Sequence, residues 1–141
     1  MSKVYIASGW FTPEQEARLE EVLSACKKAG VEVYSPRDDF QYVKGMNPAV
    51  VFVANLNHIE DSLFVLASTE GKDIGTLFEC GYAYGHGKPV VYYYPGKGKF
   101  NLMLGESATA VIDGPYRLEV YLNQVAVTGT APTIKYEGDL E

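Results

Sequence analysis

Short apolar segments alternate along this chain with longer segments in which apolar residues recur at helical spacing. The apolar runs that predict strands cover residues 4–7, 31–35, 62–67, 89–94 and 108–112. The segments that predict helices cover residues 13–29, 49–59, 75–85, 101–105 and 117–124. Runs that are short and almost wholly apolar are typical of strands buried on both faces. The alternation therefore predicts an α/β fold: a doubly wound sheet of about five parallel strands with helices on both faces, forming a single domain over residues 1–141.

The first predicted helix has clear start and stop signals. Thr12 is expected to be its N-cap, Pro13 its first residue, and Gln15 the partner that completes a capping box. Gly30 is expected to end it. The segment 37–48 mixes polar and aromatic residues and is predicted to be a loop, as is 68–73. No assignment follows for residues after 124.

Parallel sheets bind ligands at the carboxyl ends of their strands. The segments that follow the predicted strands are therefore expected to line a site. They are residues 8–11, 36–41, 68–73 and 95–103.

Charge and composition restrict the partners. The formal net charge is −6, from 12 basic and 18 acidic residues. This argues against binding a nucleic-acid polymer, which calls for a basic patch, but it leaves a single nucleoside or base open. Eleven tyrosines in 141 residues suit a pocket for a flat ligand, since tyrosine offers a stacking face and a hydroxyl together.

Neither a membrane location nor a metal centre is predicted. The N-terminal apolar stretch is too short for a signal peptide, so a cytoplasmic protein is expected. Cys26 and Cys80 lack metal-ligand spacing and are interpreted as small buried thiols. His58 and His86 are interpreted as surface or packing residues. We expect no metal and no organic cofactor.

Two carboxylates are candidates for chemistry. Asp73 precedes a predicted helix, where a carboxylate is favoured as a cap. Glu79 lies six residues further on, among apolar neighbours, and suits either a functional role or the solvent face of an amphipathic helix. Tyr5, on the first predicted strand, needs a partner for its hydroxyl, and Glu79 would be a suitable one.

The loop after the first strand and one later turn hold further candidates. Gly9 permits close approach of a ligand, and Trp10 can stack on a base. The simpler interpretation of Trp10 is a hydrophobic staple for the following helix. Asn101 can bind a hydroxyl, but a helix cap is its simpler role. The segment 71–75 lacks the spacing of a phosphate-binding P-loop.

Taken together, four segments resemble one family, the nucleoside 2-deoxyribosyltransferases. They are the strand and loop at 5–11, the D-x-G-x-x-x-E-x-G motif at 73–81, and the later segments 87–90 and 101–103. The resemblance spans residues 4 to about 112. It implies a flavodoxin-like fold and a double displacement in which Glu79 attacks the anomeric carbon of a 2-deoxynucleoside. A second base then attacks the covalent deoxyribosyl intermediate, with net retention.

The resemblance also implies roles for other residues. Tyr5 would orient the nucleophile, and Asp73 would contact the substrate near the sugar and base. Gln41 is similar to a glutamine on the loop that contacts the base. Asn101 and Met103 match residues that complete the pocket of a neighbouring subunit, so a homo-oligomer is implied. The expected partners are 2-deoxynucleosides and free nucleobases.

One position departs from the family pattern. Many members carry an aspartate, thought to protonate the leaving base, where this chain has Asn55 in the run Ala54-Asn55-Leu56-Asn57. Asparagine can hydrogen-bond a base but cannot act as an acid. Three explanations stay open: a different base preference, another acid such as Asp73, or a different alignment.

Two rival functions remain. Deoxynucleoside monophosphate N-glycosidases of the same superfamily resemble this chain, and the resemblance suggests that they hold the phosphate with serine and arginine near the first loop. Here only Ser8 is nearby, which favours a neutral nucleoside, although Arg37 leaves room for a phosphate. The second rival is a catalytically silent nucleotide-sensing module. The three catalytic candidates together argue against it, and Asn55 favours it.

Overall fold

The computed structural model describes residues 2–141. Its five strands form one sheet in the order β2-β1-β3-β4-β5. The strands are β1 Val4–Ala7, β2 Val33–Tyr34, β3 Val65–Ala67, β4 Val90–Tyr93 and β5 Ala110–Ile112. Every neighbouring pair is parallel. This is the flavodoxin-like order. The chain adds β2 on one side of β1 and then adds β3, β4 and β5 on the other side, so the strand order reverses between β1 and β3. The predicted parallel α/β sheet is confirmed.

Helices cover both faces of this sheet. They are α1 Pro13–Ala29, α2 Pro36–Asp39, α3 Pro48–Asp61, α4 Ile74–Gly85, α5 Leu102–Ser107 and α6 Pro115–Thr128. Buried residues of α1 and α6 pack on one face, and buried residues of α3 and α4 pack on the other. None of the helices in residues 2–141 is long and apolar enough to cross a membrane.

Alternation along β1 decides which side chains reach which face. Val4 and Ile6 belong to the core under α1 and α6, whereas Tyr5 and Ala7 belong to the core under α3 and α4. Successive strand residues point to opposite faces, so Tyr5 is directed toward α4. Cys26 and Cys80 are both free and buried, as the sequence predicts.

The predicted ends of α1 are confirmed. Thr12 is the N-cap, and its Oγ1 accepts a hydrogen bond from the backbone N–H of Gln15 at 3.2 Å. The predicted reciprocal bond differs, because Gln15 Oε1 accepts from the N–H of Phe11 at 2.9 Å. Gly30 ends the helix with a φ of 75°, a left-handed conformation that favours glycine.

The prediction of a loop over residues 37–48 is wrong at its start. Residues Pro36–Asp39 form α2, a single helical turn that begins with proline. Asp39 Oδ2 closes the turn by accepting from the Ser35 N–H at 2.8 Å. Likewise, Glu70–Lys72 is a 3-10 turn within the other predicted loop. Single turns are too short to show an apolar period, which is why the pattern misses them.

Candidate active site

A cavity of about 510 Å³ opens beyond the carboxyl end of β1, between α3 and α4. Its lining residues are Ser8, Trp10, Phe11, Pro36, Phe52, Asn55, Leu56, Asp73, Ile74, Gly75, Phe78 and Glu79. Aromatic side chains supply much of the wall, and the charged members of the lining are two carboxylates. The cavity thus lies where parallel sheets bind ligands, and it suits a flat, uncharged group.

Glu79 lies at the inner side of this cavity, hydrogen-bonded to Tyr5. The hydroxyl of Tyr5 donates to Glu79 Oε2, although the two residues are 74 positions apart in sequence. Tyr5 itself is fully buried, behind the carboxylate. Its direction follows from its place on β1, and the register of α4 brings Glu79 to meet it. The predicted partner for the Tyr5 hydroxyl is therefore confirmed.

The surroundings shift the titration of this pair. Burial raises the pKa of Glu79 from 4.5 to about 7; the Tyr5 hydrogen bond opposes the rise, and the charge of Asp73 adds to it. Burial, followed by the charge of Glu79, raises the pKa of Tyr5, so this hydroxyl stays protonated as a donor. A poorly solvated carboxylate that ionises near neutral pH is typical of a reactive group in an enzyme site.

Asp73 caps α4 and also lies in the lining of the cavity. As the N-cap of α4, its Oδ2 accepts from the Thr76 N–H at 3.0 Å and from the Thr76 hydroxyl at 2.8 Å. It also lines the cavity together with Glu79. Both hydrogen bonds engage Oδ2, so the lone pairs of Oδ1 remain for a ligand.

Trp10 lines the cavity after β1, whereas Gly9 is not part of the lining and packs beside Asp73 and Gln15. A Cβ atom at Gly9 would lie 2.7 Å from Gln15 Oε1 and 3.0 Å from Asp73 Cβ, so this backbone needs glycine to pack beside Asp73. Trp10 lines the cavity and also packs against the core under α1. Its ring centroid lies 4.9 Å from that of Phe11. Trp10 can therefore pack against the core and still contact a ligand in the cavity.

Asn55 reaches the same cavity from α3. Its Oδ1 is buried and has no hydrogen-bond partner among residues 2–141. An unpaired buried acceptor costs about 1–3 kcal/mol, a cost that a donor on a ligand would remove. The position of Asn55 therefore fits a contact with a base.

Gln41, Asn101 and Met103 lie outside this cavity. The exposed Gln41 donates through Nε2 to the Arg37 carbonyl at 3.2 Å. Asn101 is the N-cap of α5, accepting from the Leu104 N–H at 3.1 Å, and lines a second cavity of about 520 Å³. The side chain of Met103 is 74% exposed. The simpler interpretation of Asn101 as a cap is confirmed, and the ligand roles of all three stay predictions.

Two aromatic residues of the cavity were missed by sequence reasoning. Phe52 on α3 and Phe78 on α4 have ring centroids 5.9 Å apart and are about half exposed. A large aromatic side chain that stays exposed beside a cavity is typical of a ligand or partner contact. Their pairing depends on how α3 packs against α4, which no local pattern specifies.

Arg37 is engaged elsewhere. Its guanidinium contacts Glu20 at 2.5 Å and Asp38 at 2.8 Å, and the side chain is 16% exposed. These pairs hold the pKa of Arg37 above its usual value. Arg37 is absent from the cavity lining and is already paired with carboxylates. The suggestion that Arg37 could bind a substrate phosphate is therefore weakened.

Fold and pocket together describe a flavodoxin-like protein with a carboxylate site at the carboxyl ends of its strands. A family model for nucleoside 2-deoxyribosyltransferases matches residues 4–114. The chain therefore belongs to the nucleoside 2-deoxyribosyltransferase family, which confirms the resemblance. A search of curated proteins finds no match.

Solved structures agree with this assignment. A 2-deoxyribosyltransferase from Bacillus psychrosaccharolyticus is 28% identical with a TM-score of 0.81, covering 96% of this chain and 99% of its own. A 2-deoxyribosyltransferase from Leishmania mexicana is 22% identical with a TM-score of 0.66, covering 88% and 98%. A CMP N-glycosidase from Clostridium botulinum, 17% identical with a TM-score of 0.57, covers 89% and 98%. The last two similarities concern the fold alone.

Proposed function

We propose that this protein transfers 2-deoxyribose from one nucleobase to another through a covalent bond to Glu79, with net retention. The observation that carries the proposal is the Tyr5–Glu79 pair, which places an incompletely solvated carboxylate inside an aromatic cavity. Family membership supports a substrate made of a nucleobase and a sugar.

The reaction has two displacements at the anomeric carbon. In the first, Glu79 Oε1 forms a bond to this carbon while Tyr5 holds Oε2, and the glycosidic C–N bond breaks. Its electron pair goes to the departing base, which takes up a proton from solvent water in the open cavity. A nitrogen of the second base then attacks the same carbon, displaces the carboxylate and loses its proton. Two inversions give net retention.

The carboxylate suits the transition state of both steps. Positive charge develops on the sugar ring, and a negative group in a poorly solvated pocket stabilises it strongly. A 2-deoxy sugar lacks the electron-withdrawing 2-hydroxyl, so its cation forms more readily. We assign Asp73 a contact with the sugar, because it lines the cavity beside Glu79 and is fixed by Thr76.

The walls of the cavity are assigned to the base. Trp10 and Phe11 lie after β1, and Phe52 and Phe78 lie on the facing helices, so a planar ring has aromatic surfaces to stack on. Asn55 would hydrogen-bond the edge of the base as an amide. In that role it recognises the base but does not protonate it.

Charge supports a neutral nucleoside over a nucleoside monophosphate. Two carboxylates and no basic residue appear in the described lining of the cavity, and a phosphate placed there would be repelled. Asn101 and Met103 are assigned to a neighbouring subunit's pocket in a homo-oligomer. The exposure of Met103 on this chain is compatible with that role.

A base-exchange assay tests the proposal. The purified protein is incubated with a panel of 2-deoxynucleosides and a different free base, and the products are separated by chromatography. A new deoxynucleoside is expected from the wild type and from Glu106→Ala, an exposed carboxylate on α5, but not from Glu79→Ala. Free base and deoxyribose without exchange would identify a hydrolase. Turnover of monophosphates alone, or binding without turnover, would contradict the proposal.

A further inference from the structure

Three stacked rings connect the nucleophile to the edge of the sheet. Tyr5 and Tyr34 are register partners on the neighbouring parallel strands β1 and β2, with ring centroids 5.8 Å apart and planes 25° apart. On its other side, Tyr34 stacks on His58 of α3 at 3.7 Å and 12°. Tyr34 is thus held between the ring that bonds Glu79 and a helix that lines the cavity.

The hydroxyl of Tyr34 is buried without a protein partner. Tyr34 is 6% exposed, and its hydroxyl oxygen has no hydrogen-bond partner among residues 2–141. A phenylalanine would fill the same space without leaving a buried polar group unpaired. A tyrosine kept at such a place therefore points to a use for its hydroxyl.

Tyr34 and Tyr5 are register partners with stacked rings, so both hydroxyls are directed to the side of the sheet where Tyr5 bonds Glu79. Burial raises the pKa of Tyr34, and the charges of Asp39 and Glu79 raise it further. Glu79 is bonded directly to Tyr5, and the neighbouring Tyr34 hydroxyl has no protein partner among residues 2–141, so a bridging water is the contact that would link Tyr34 to the carboxylate. Asn55, one helical turn before His58 on α3, also has a buried oxygen without a partner among residues 2–141.

We propose that Tyr34 is a second positioning residue for the nucleophile: its ring holds the ring of Tyr5 in place, and its hydroxyl binds Glu79 through one buried water. This deepens the proposed function and rests on it. Tyr34 touches no reacting atom, so it acts on the orientation and ionisation of the carboxylate. Titratable groups that surround this contact come from every adjoining element: Tyr5, Asp39, His58, Asp73 and Cys80.

The kinetic test uses Tyr34→Phe, which removes the hydroxyl alone. We expect kcat to fall about fivefold to tenfold, the loss of one hydrogen bond of ordinary strength, with KM changed less than about twofold. Tyr34→Leu also removes the ring and should lose more. The matched control is Tyr121→Phe, since Tyr121 is equally buried on the opposite face and donates to the Pro132 carbonyl at 2.7 Å. It should keep the wild-type kcat.

A second readout does not depend on turnover. Infrared difference spectra between wild type and Glu79→Gln isolate the Glu79 carboxyl, whose titration midpoint should move upward in Tyr34→Phe because a donor to the ionised form is lost. An unchanged midpoint together with an unchanged kcat would overturn the proposal, as would equal kcat losses in Tyr34→Phe and Tyr121→Phe. If the wild type transfers no deoxyribose, the proposed function fails, and the infrared titration still decides the Tyr34 contact.

Discussion

Replacing Glu79 with glutamine should make the folded protein more stable at neutral pH. The substitution keeps the shape of the side chain and an oxygen that accepts from Tyr5, but it removes the charge. Folding raises the pKa of Glu79 from 4.5 to about 7, mainly by burial. A rise of this size corresponds to about 3 kcal/mol, an upper value because the carboxyl keeps some contact with the open cavity.

The pH dependence follows from the direction of the shift. Below pH 4.5 the carboxyl is protonated in both states, so ionisation adds no difference between wild type and variant. As pH rises to about 7, the unfolded chain ionises first, and the wild type loses stability relative to Glu79→Gln. Above pH 7 both states are ionised, and the difference stays near its maximum.

Urea unfolding of both proteins between pH 4.5 and pH 8.5 measures this difference. Glu106→Gln, on an exposed carboxyl, is the control and should show little pH-dependent change. A difference between Glu79→Gln and wild type that does not grow with pH would refute the reasoning, because the carboxyl would then be well solvated. Higher stability with lost activity is the behaviour expected of a group kept for function.

Three further substitutions test the neighbouring contacts. Tyr5→Phe should lower kcat roughly tenfold or more by removing a hydrogen bond to Glu79, and an unchanged rate would exclude that contact from catalysis. Asn55→Asp adds a third carboxylate to a cavity that already holds Asp73 and Glu79, so it should raise the pH at which activity appears or change the base preference. If variant and wild type have identical pH profiles and base preferences, Asn55 does not contact the base. Gly9→Ala should lower the free energy of unfolding by about 1–3 kcal/mol and reduce kcat. Gly85→Ala is the control and should do neither, because its added Cβ meets nothing within 4 Å. Equal behaviour of the two variants would contradict the close packing at Gly9.

The sheet was predictable because its strands are short, apolar and buried. The predicted bounds of β1 match the structure, and the caps of α1 follow from Thr12 and Gly30. The predicted β2 and β3 were too long, since an apolar run includes residues such as Val31 that lie in the core without pairing in the sheet. The hydrophobic pattern indicates which residues are buried, whereas the bounds of a strand depend on which backbone groups pair with a neighbouring strand.

The site was predictable where chemistry demanded a partner. Tyr5 needed an acceptor for a buried hydroxyl, and the structure supplies Glu79. By contrast, the ring pairs of Phe52 with Phe78 and of Tyr34 with His58 depend on how helices pack over the sheet. Residues far apart in sequence give no local signal of such pairing, so these contacts needed the structure.

The most direct test of the central claim is to look for the covalent intermediate. Wild-type protein is mixed with a 2-deoxynucleoside without acceptor base, quenched with acid, and analysed by intact-protein and peptide mass spectrometry. We predict a mass increase of one deoxyribosyl group on the peptide that contains Glu79, absent from Glu79→Ala and removed when a second base is added before the quench. Base exchange by the wild type with no such adduct, or an adduct on another residue, would contradict the assignment of Glu79 as the nucleophile.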